Sequence, residues 1–274
     1  MNMKSPKYNP LRRLLSLTSG LMNMPYGWKR IIIAFAYGIT CHIIFALAVA
    51  TMIISMFFGM SKSLGNIPLP ACYLTNALLL LQFPLTHSLL LSQKGKIFLS
   101  WIAPRQHYKT LSTTTYAIVA SLQLLLLFSL WTPSGIVWWR AEGPILSLFC
   151  CLYTLSWLLL IKSSIDAGAE VQSGALGWMS MAQNKKPTFP DMPTKGLFRV
   201  IRQPIYVSFV LTLWTVPVWT PDQFSLAVIL TIYCLVAPRL KEQRFKKLYG
   251  ERFLRYQEIV PYAIPKLYRP KNND

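Results

Sequence analysis

The sequence predicts an all-α polytopic membrane protein, with four spanning helices followed by a C-terminal helical hairpin and a cytoplasmic C-terminal helix. Three observations predict it. Of 274 residues, 53% are hydrophobic and the mean hydropathy is +0.39, more apolar sequence than a soluble core uses. The apolar residues come in long runs, and about 20 of them in succession span a bilayer as a helix. The 28 basic residues, against nine acids, lie between those runs rather than on a compact basic domain. The excess charge therefore speaks for membrane topology and against nucleic acid.

Residues 1–30 form a basic N-terminal segment with Lys4, Lys7, Arg12, Arg13, Lys29 and Arg30 and no acid, suited to a short amphipathic helix resting on anionic lipid. The first apolar run, near 31–59, is too long for the h-region of a signal peptide and reads as an uncleaved transmembrane helix. Runs near 70–92, 111–132 and 143–165 are also long enough to cross, which makes 31–165 a four-helix transmembrane region. A polar connection follows over 166–203, with Pro187, Pro190 and Pro193. The last two runs, 204–219 and 224–238, hold about 16 and 15 residues around the turn-like Thr220-Pro221-Asp222-Gln223. They read as a tight helical hairpin that crosses obliquely or incompletely.

With the N-terminus inside and the spans alternating, 26 of the 28 basic residues fall on the cytoplasmic side and only Lys62 and Arg140 lie outside. A reversed or five-helix topology spoils this agreement with the positive-inside rule. Both termini are thus expected in the cytoplasm, with the protein in the inner membrane if the cell is bacterial. Trp131, Trp138 and Trp139, and Trp214 and Trp219, are placed to act as interfacial anchors.

Several chemistries are excluded by what is missing. The chain has no glycine-rich dinucleotide or nucleotide loop, no H-E-x-x-H and no G-x-S-x-G. Its few acids support no paired-carboxylate hydrolysis. Five cysteines, all in apolar segments and without C-x-x-C spacing, imply neither a disulfide framework nor a zinc site. Three isolated histidines give no basis for a metal. Of these, His42 reads as packing, as do Cys150 and Cys151. His87, near the cytoplasmic end of its helix, is either functional or an interhelical hydrogen-bonding residue.

The remaining chemistry is concentrated between Gly196 and Pro265. One motif has the form G-L-F/Y-R-x-x-R-H-P-x-Y and is carried by Gly196, Leu197, Phe198, Arg199, Arg202, Pro204 and Tyr206. The second follows the hairpin: Glu242, Phe245, Tyr249, Gly250, Phe253, Tyr256, Val260, Pro261, Ile264 and Pro265. Together they resemble the isoprenylcysteine carboxyl methyltransferase, phospholipid methyltransferase and NnrU-like superfamily of integral membrane proteins. Upstream, His87-Ser88 and the stretch Ser112 to Tyr116 look like the methanethiol S-methyltransferase branch. The resemblance covers about 31–265. The sequence departs from the pattern twice, with Gln203 where the family has histidine and Lys241 where it has the first acid of a pair. Gln203 still donates and accepts hydrogen bonds but does not titrate near neutral pH.

The resemblance implies an enzyme dependent on S-adenosyl-L-methionine, with its cofactor-binding region in 166–274. Gly196, Leu197, Arg199, Arg202, Gln203, Tyr206, Glu242 and Tyr256 are then the candidate cofactor residues, and His87, Arg202 and Gln203 the candidate catalytic ones. Arg199 or Arg202 would hold the cofactor carboxylate, Glu242 its amino group or ribose, and Tyr206 or Tyr256 its adenine. Each residue also has a plainer reading: the arginines as positive-inside anchors, Glu242 as an i,i+4 surface partner of Lys246, the tyrosines as interface aromatics. A small thiol is the expected acceptor. Methylation of a lipid amine or prenylcysteine carboxylate, and a catalytically silent membrane binding protein, stay open beside it.

Overall fold

A computed structural model describes residues 10–265. Its elements are α1 (Pro10–Gly20), α2 (Trp28–Phe57), α3 (Ala71–Leu90), α4 (Gln93–Ile102), α5 (Tyr108–Leu130), β1 (Trp139–Arg140), α6 (Gly143–Gln172), α7 (Ala175–Ala182), α8 (Pro204–Trp214), β2 (Val218–Trp219), α9 (Pro221–Tyr249) and α10 (Glu251–Ile259). The two-residue strands pair antiparallel, Trp139 opposite Trp219. The fold is all-α and polytopic, as expected.

Four helices are long and apolar enough to cross a membrane: α2, α5, α6 and α9. The number matches expectation and the membership does not. The 70–92 run forms α3, which continues into α4 after a 98° bend, and only the pair makes a further candidate span. The second arm of the expected hairpin is a 29-residue helix rather than about 15 residues, because α9 runs through Pro238 and past the end of the apolar run to Tyr249. Interior proline removes one backbone hydrogen bond, a loss that surrounding helices offset in membrane proteins. Thr220 starts α9, its hydroxyl accepting from the Gln223 amide at 3.0 Å, with Pro221 at the first turn.

The principal core lies between α2, α3, α5, α6, α8 and α9, where Met52, Leu80, Phe128, Tyr153, Leu213 and Leu226 interlock. The outer faces of α2 and α6 expose Ile39, Ile43, Leu47, Leu148, Leu155 and Leu158, an apolar surface suited to lipid. Cys151 is exposed on α6 and is therefore not the packing residue expected; all five cysteines are free. Trp138, Trp139 and Trp214 are exposed as anchors would be, but Trp131 is only 3% exposed. Its indole donates to Asp222 Oδ1 at 3.0 Å instead.

The 166–203 connection holds more structure than its polarity predicts. Helix α6 continues to Gln172 around a kink at Gly168, and α7 is buried along its whole length. The Trp178 indole of α7 donates to His42 Nε2 at 3.1 Å, so His42 is a packing partner here. Helix α1 docks on protein: Arg13 pairs with the fully buried Glu170, and the Leu17 carbonyl accepts from Gln183 Nε2 at 2.8 Å. Lys4 and Lys7 lie outside the described residues.

Candidate functional site

The two C-terminal motifs meet at one end of the bundle. A 3-10 turn (Gly196–Arg199) leads to Arg202 and Gln203, immediately before α8. This approach is held by Asp166 of α6, whose Oδ2 accepts from the Leu197 amide at 2.8 Å. Gly196 has φ +60°, and a β-carbon there would lie 2.1 Å from that carboxylate. Both conditions call for glycine. Gly196 and Leu197 thus contribute backbone, not side chains, to the arrangement.

Glu242 on α9 is the hub. Its Oε1 accepts from Arg202 Nε at 2.8 Å and from Gln203 Nε2 at 2.8 Å, and its Oε2 accepts from Gln257 Nε2 of α10 at 2.7 Å. The Arg202 guanidinium also donates to the carbonyls of Val260 at 2.6 Å and Gln257 at 3.1 Å. The backbone amides of Arg202 and Gln203 donate to the carbonyls of Pro261 and Tyr262. Glu242 is buried, so the surface pairing with Lys246 does not describe it. A buried carboxylate with a guanidinium and two amides around it is satisfied as such a group must be.

Aromatic side chains wall the same place. Phe198, Phe245, Phe253 and Tyr256 line a pocket with Pro193, Arg202, Gln203, Lys241 and Glu242, and the free space left between them is about 10 Å³, room for roughly one water. The Tyr256 hydroxyl donates to the Phe198 carbonyl at 2.6 Å, and burial pushes its ionisation above the ordinary tyrosine range. The ring of Tyr206 stands 5.8 Å from Lys241 Nζ. Arg199 is exposed and does not line this pocket. Sequence reasoning did not single out Gln257 or Asp166. For Asp166 the signal was scarcity: an acid just beyond an apolar run, in a chain with nine of them, has to be partnered somewhere; nothing in the sequence marks Gln257.

His87 is brought to a different partner. Its Nε2 lies 2.7 Å from the hydroxyl of Tyr116 on α5, and its Nδ1 is buried with no partner among the described residues. The two pieces of the upstream resemblance, His87 and the Ser112 to Tyr116 stretch, therefore touch. The ring of Phe83 packs on His87 and extends to Tyr233 of α9. No group of three His, Cys, Asp or Glu side chains converges among the described residues.

The chain is similar over most of its length to curated proteins named methanethiol S-methyltransferase and to one named Nurim. It is 29% identical to "Methanethiol S-methyltransferase 1" of Bradyrhizobium diazoefficiens over 85% of this chain and 82% of that protein. It is 28% identical to "Methanethiol S-methyltransferase" of Crocosphaera subtropica over 84% of this chain and 90% of that protein. It is also 26% identical to "Nurim" of Xenopus laevis over 78% of this chain and 77% of that protein. The resemblance drawn from the motifs is borne out by these relatives. No family model matches the chain, and no solved structure does.

Proposed function

We propose that this chain is an integral membrane methyltransferase that moves a methyl group from S-adenosylmethionine to a small thiol. The observation that carries the reading is the Glu242 hub: one buried carboxylate gathers Arg202, Gln203 and Gln257 from two other chain segments beside an aromatic-walled gap. The names of the similar proteins supply the acceptor class.

The residues present fit the cofactor in chemistry. A guanidinium suits its carboxylate, Glu242 its amino or ribose donors, and the faces of Phe253 and Tyr256 its adenine. When bound, the cofactor supplies a methyl group on a sulfonium, open to in-line displacement by sulfur. The reaction converts thiol and S-adenosylmethionine into thioether, S-adenosylhomocysteine and one proton.

The chain then has three tasks. Arg202, Gln203 and Glu242 orient, because rigid side chains already fixed by hydrogen bonds lose little freedom when a ligand arrives. The aromatic walls exclude water. His87 receives the proton: with Nε2 donating to the Tyr116 hydroxyl, the unpartnered Nδ1 is the free acceptor, and deprotonation makes the thiol a nucleophile. The cofactor approaches from the cytoplasm, where both termini lie, and the acceptor through the bilayer.

The test is headspace gas chromatography of detergent-purified protein supplied with S-adenosylmethionine and methanethiol. Dimethyl sulfide formed at a rate proportional to protein supports the reading. Protein that binds S-adenosylhomocysteine calorimetrically but methylates no small thiol would refute the acceptor, and a lipid extract searched for methylated products would then be the next assay. Well-folded protein that binds no S-adenosylhomocysteine would refute the cofactor.

A further inference from the structure

Lys241 is the side chain in this pocket that fits its surroundings least as a structural group and most as a ligand. Its Nζ lies 5.5 Å from the ring centre of Phe198, 5.8 Å from Tyr206 and 5.5 Å from Phe245. These rings come from the 3-10 turn, α8 and α9. Three π-faces drawn from separate elements around one point form a cage of the kind that holds an organic cation. The ammonium has three donors, yet its one hydrogen bond among the described residues is to Gln203 Oε1 at 3.5 Å, the outer limit for such a contact.

Its neighbours are anchored quite differently. Arg202 makes two bonds to backbone carbonyls besides its ion pair, Gln203 and Gln257 are tied to Glu242, and Tyr256 is tied to the Phe198 carbonyl. With only about 10 Å³ free, a ligand of nucleoside size enters only if some side chain leaves. Lys241 is the one held weakly enough, on a flexible four-carbon stem, to do so.

We propose that the cage of Phe198, Tyr206 and Phe245 is the subsite for the sulfonium of the cofactor, and that Lys241 occupies it in the resting chain as a tethered cation the cofactor must displace. This rests on the methyltransferase reading above. It has a consequence that reading lacks. Substrate cofactor and product cofactor differ at this point by one positive charge, so the ammonium opposes S-adenosylmethionine more than the neutral S-adenosylhomocysteine. Lys241 thereby biases the wild-type chain toward its own product.

The experiment is calorimetric titration of each ligand, separately, into the detergent-solubilised full chain, wild type and Lys241→Met, with thermal unfolding as the folding control. Lys241→Met should shift the ratio of the two dissociation constants toward S-adenosylmethionine by about tenfold or more, as removal of a nearby like charge in a sheltered site would. If that variant fails to fold, Lys241→Gln carries the same readout. An unchanged ratio with both ligands bound overturns the cage assignment and leaves the cofactor reading standing. Weaker S-adenosylmethionine binding by a folded variant also overturns it, because the ammonium would then be a contact and not an occupant. Binding of neither ligand by any form overturns both.

Discussion

Asp222 and Glu242 are buried carboxylates near the two ends of one helix, and their partners differ in kind. Asp222, in the first turn of α9, accepts from the Trp131 indole, the Ser134 amide at 2.9 Å and the Ser134 hydroxyl at 2.6 Å. All three donors are neutral and come from one short stretch after α5. A helix N-terminus favours negative charge, so no counter-cation is required there. Glu242 lies toward the other end of α9, where the helix dipole gives it no help, and it is held by the Arg202 guanidinium with two amides. Asp222 fastens a loop to a helix. Glu242 draws two other segments of chain to α9 around a gap, beside the weakly held ammonium of Lys241. At both ends a polar atom is left over, since Gln223 Oε1 beside Asp222 also lacks a partner among the described residues; what separates the ends is that neutral loop donors surround Asp222, whereas a guanidinium and an aromatic-walled gap adjoin Glu242.

The difference between the two ends can be sharpened or broken by substitution. The largest effect is expected in the chemistry: His87→Ala should lower kcat by about 10²- to 10⁴-fold, the usual worth of a positioned general base, with S-adenosylhomocysteine affinity unchanged. Equal loss of affinity would make His87 a packing residue. Next come Glu242→Ala and Arg202→Ala, each expected to weaken S-adenosylhomocysteine binding by about tenfold or more, as loss of a charged hydrogen bond requires. Unaltered affinity in both would make the hub structural.

Asp222→Ala should do the reverse. Leaving three donors without an acceptor costs about 1–3 kcal/mol each where they stay buried, so the thermal midpoint falls while ligand affinity holds. An affinity loss matching that of Glu242→Ala would erase the distinction between the ends. Gln203→His should keep measurable activity, since an imidazole can still donate to Glu242; complete loss in a folded variant would assign the glutamine a substrate contact of its own.

The smallest effect belongs to Asp191 and Arg252. The hydrogen bond from the Arg252 guanidinium holds the Asp191 carboxyl below its ordinary value, and both side chains are about half exposed, at 40% and 50%. A depressed carboxylate contributes stability above its unfolded value, near pH 4, and loses it as pH falls through the folded value. Solvent screening keeps the contribution small. Melting curves of wild type and Asp191→Asn should therefore coincide in acid and separate slightly as pH rises toward neutral; a constant separation at every pH would refute the linkage.

Much of this architecture was legible in the chain. Long apolar runs must be helical in lipid because every backbone group needs an internal partner, and that argument requires no knowledge of neighbours. Motif spacing likewise brought Arg202, Gln203, Glu242 and Tyr256 under suspicion, and they meet. Hydropathy placed the ends of α2, α3 and α5 to within three residues, but it set the ends of α6 and α9 too early. The apolar run stops at 238 but α9 does not, since a helix leaving the membrane keeps its hydrogen bonds. The polarity of 166–203 hid α7, whose eight residues are buried against α2 and α5 by contacts distant in sequence. Indoles favour interfaces, so the sequence alone points Trp131 there, but Asp222, 91 positions away, accepts its hydrogen bond.

The sequence by itself determined the class of solvent, the helical character, the pattern of charge and the residue types available for chemistry, because these follow from composition and local periodicity. Only the tertiary structure decided which carboxylate is a fastening and which a hub, that Asp166 requires glycine at 196, and that Lys241 lies inside an aromatic cage. Such facts depend on contacts between residues 31 to 91 positions apart, and packing alone sets those distances.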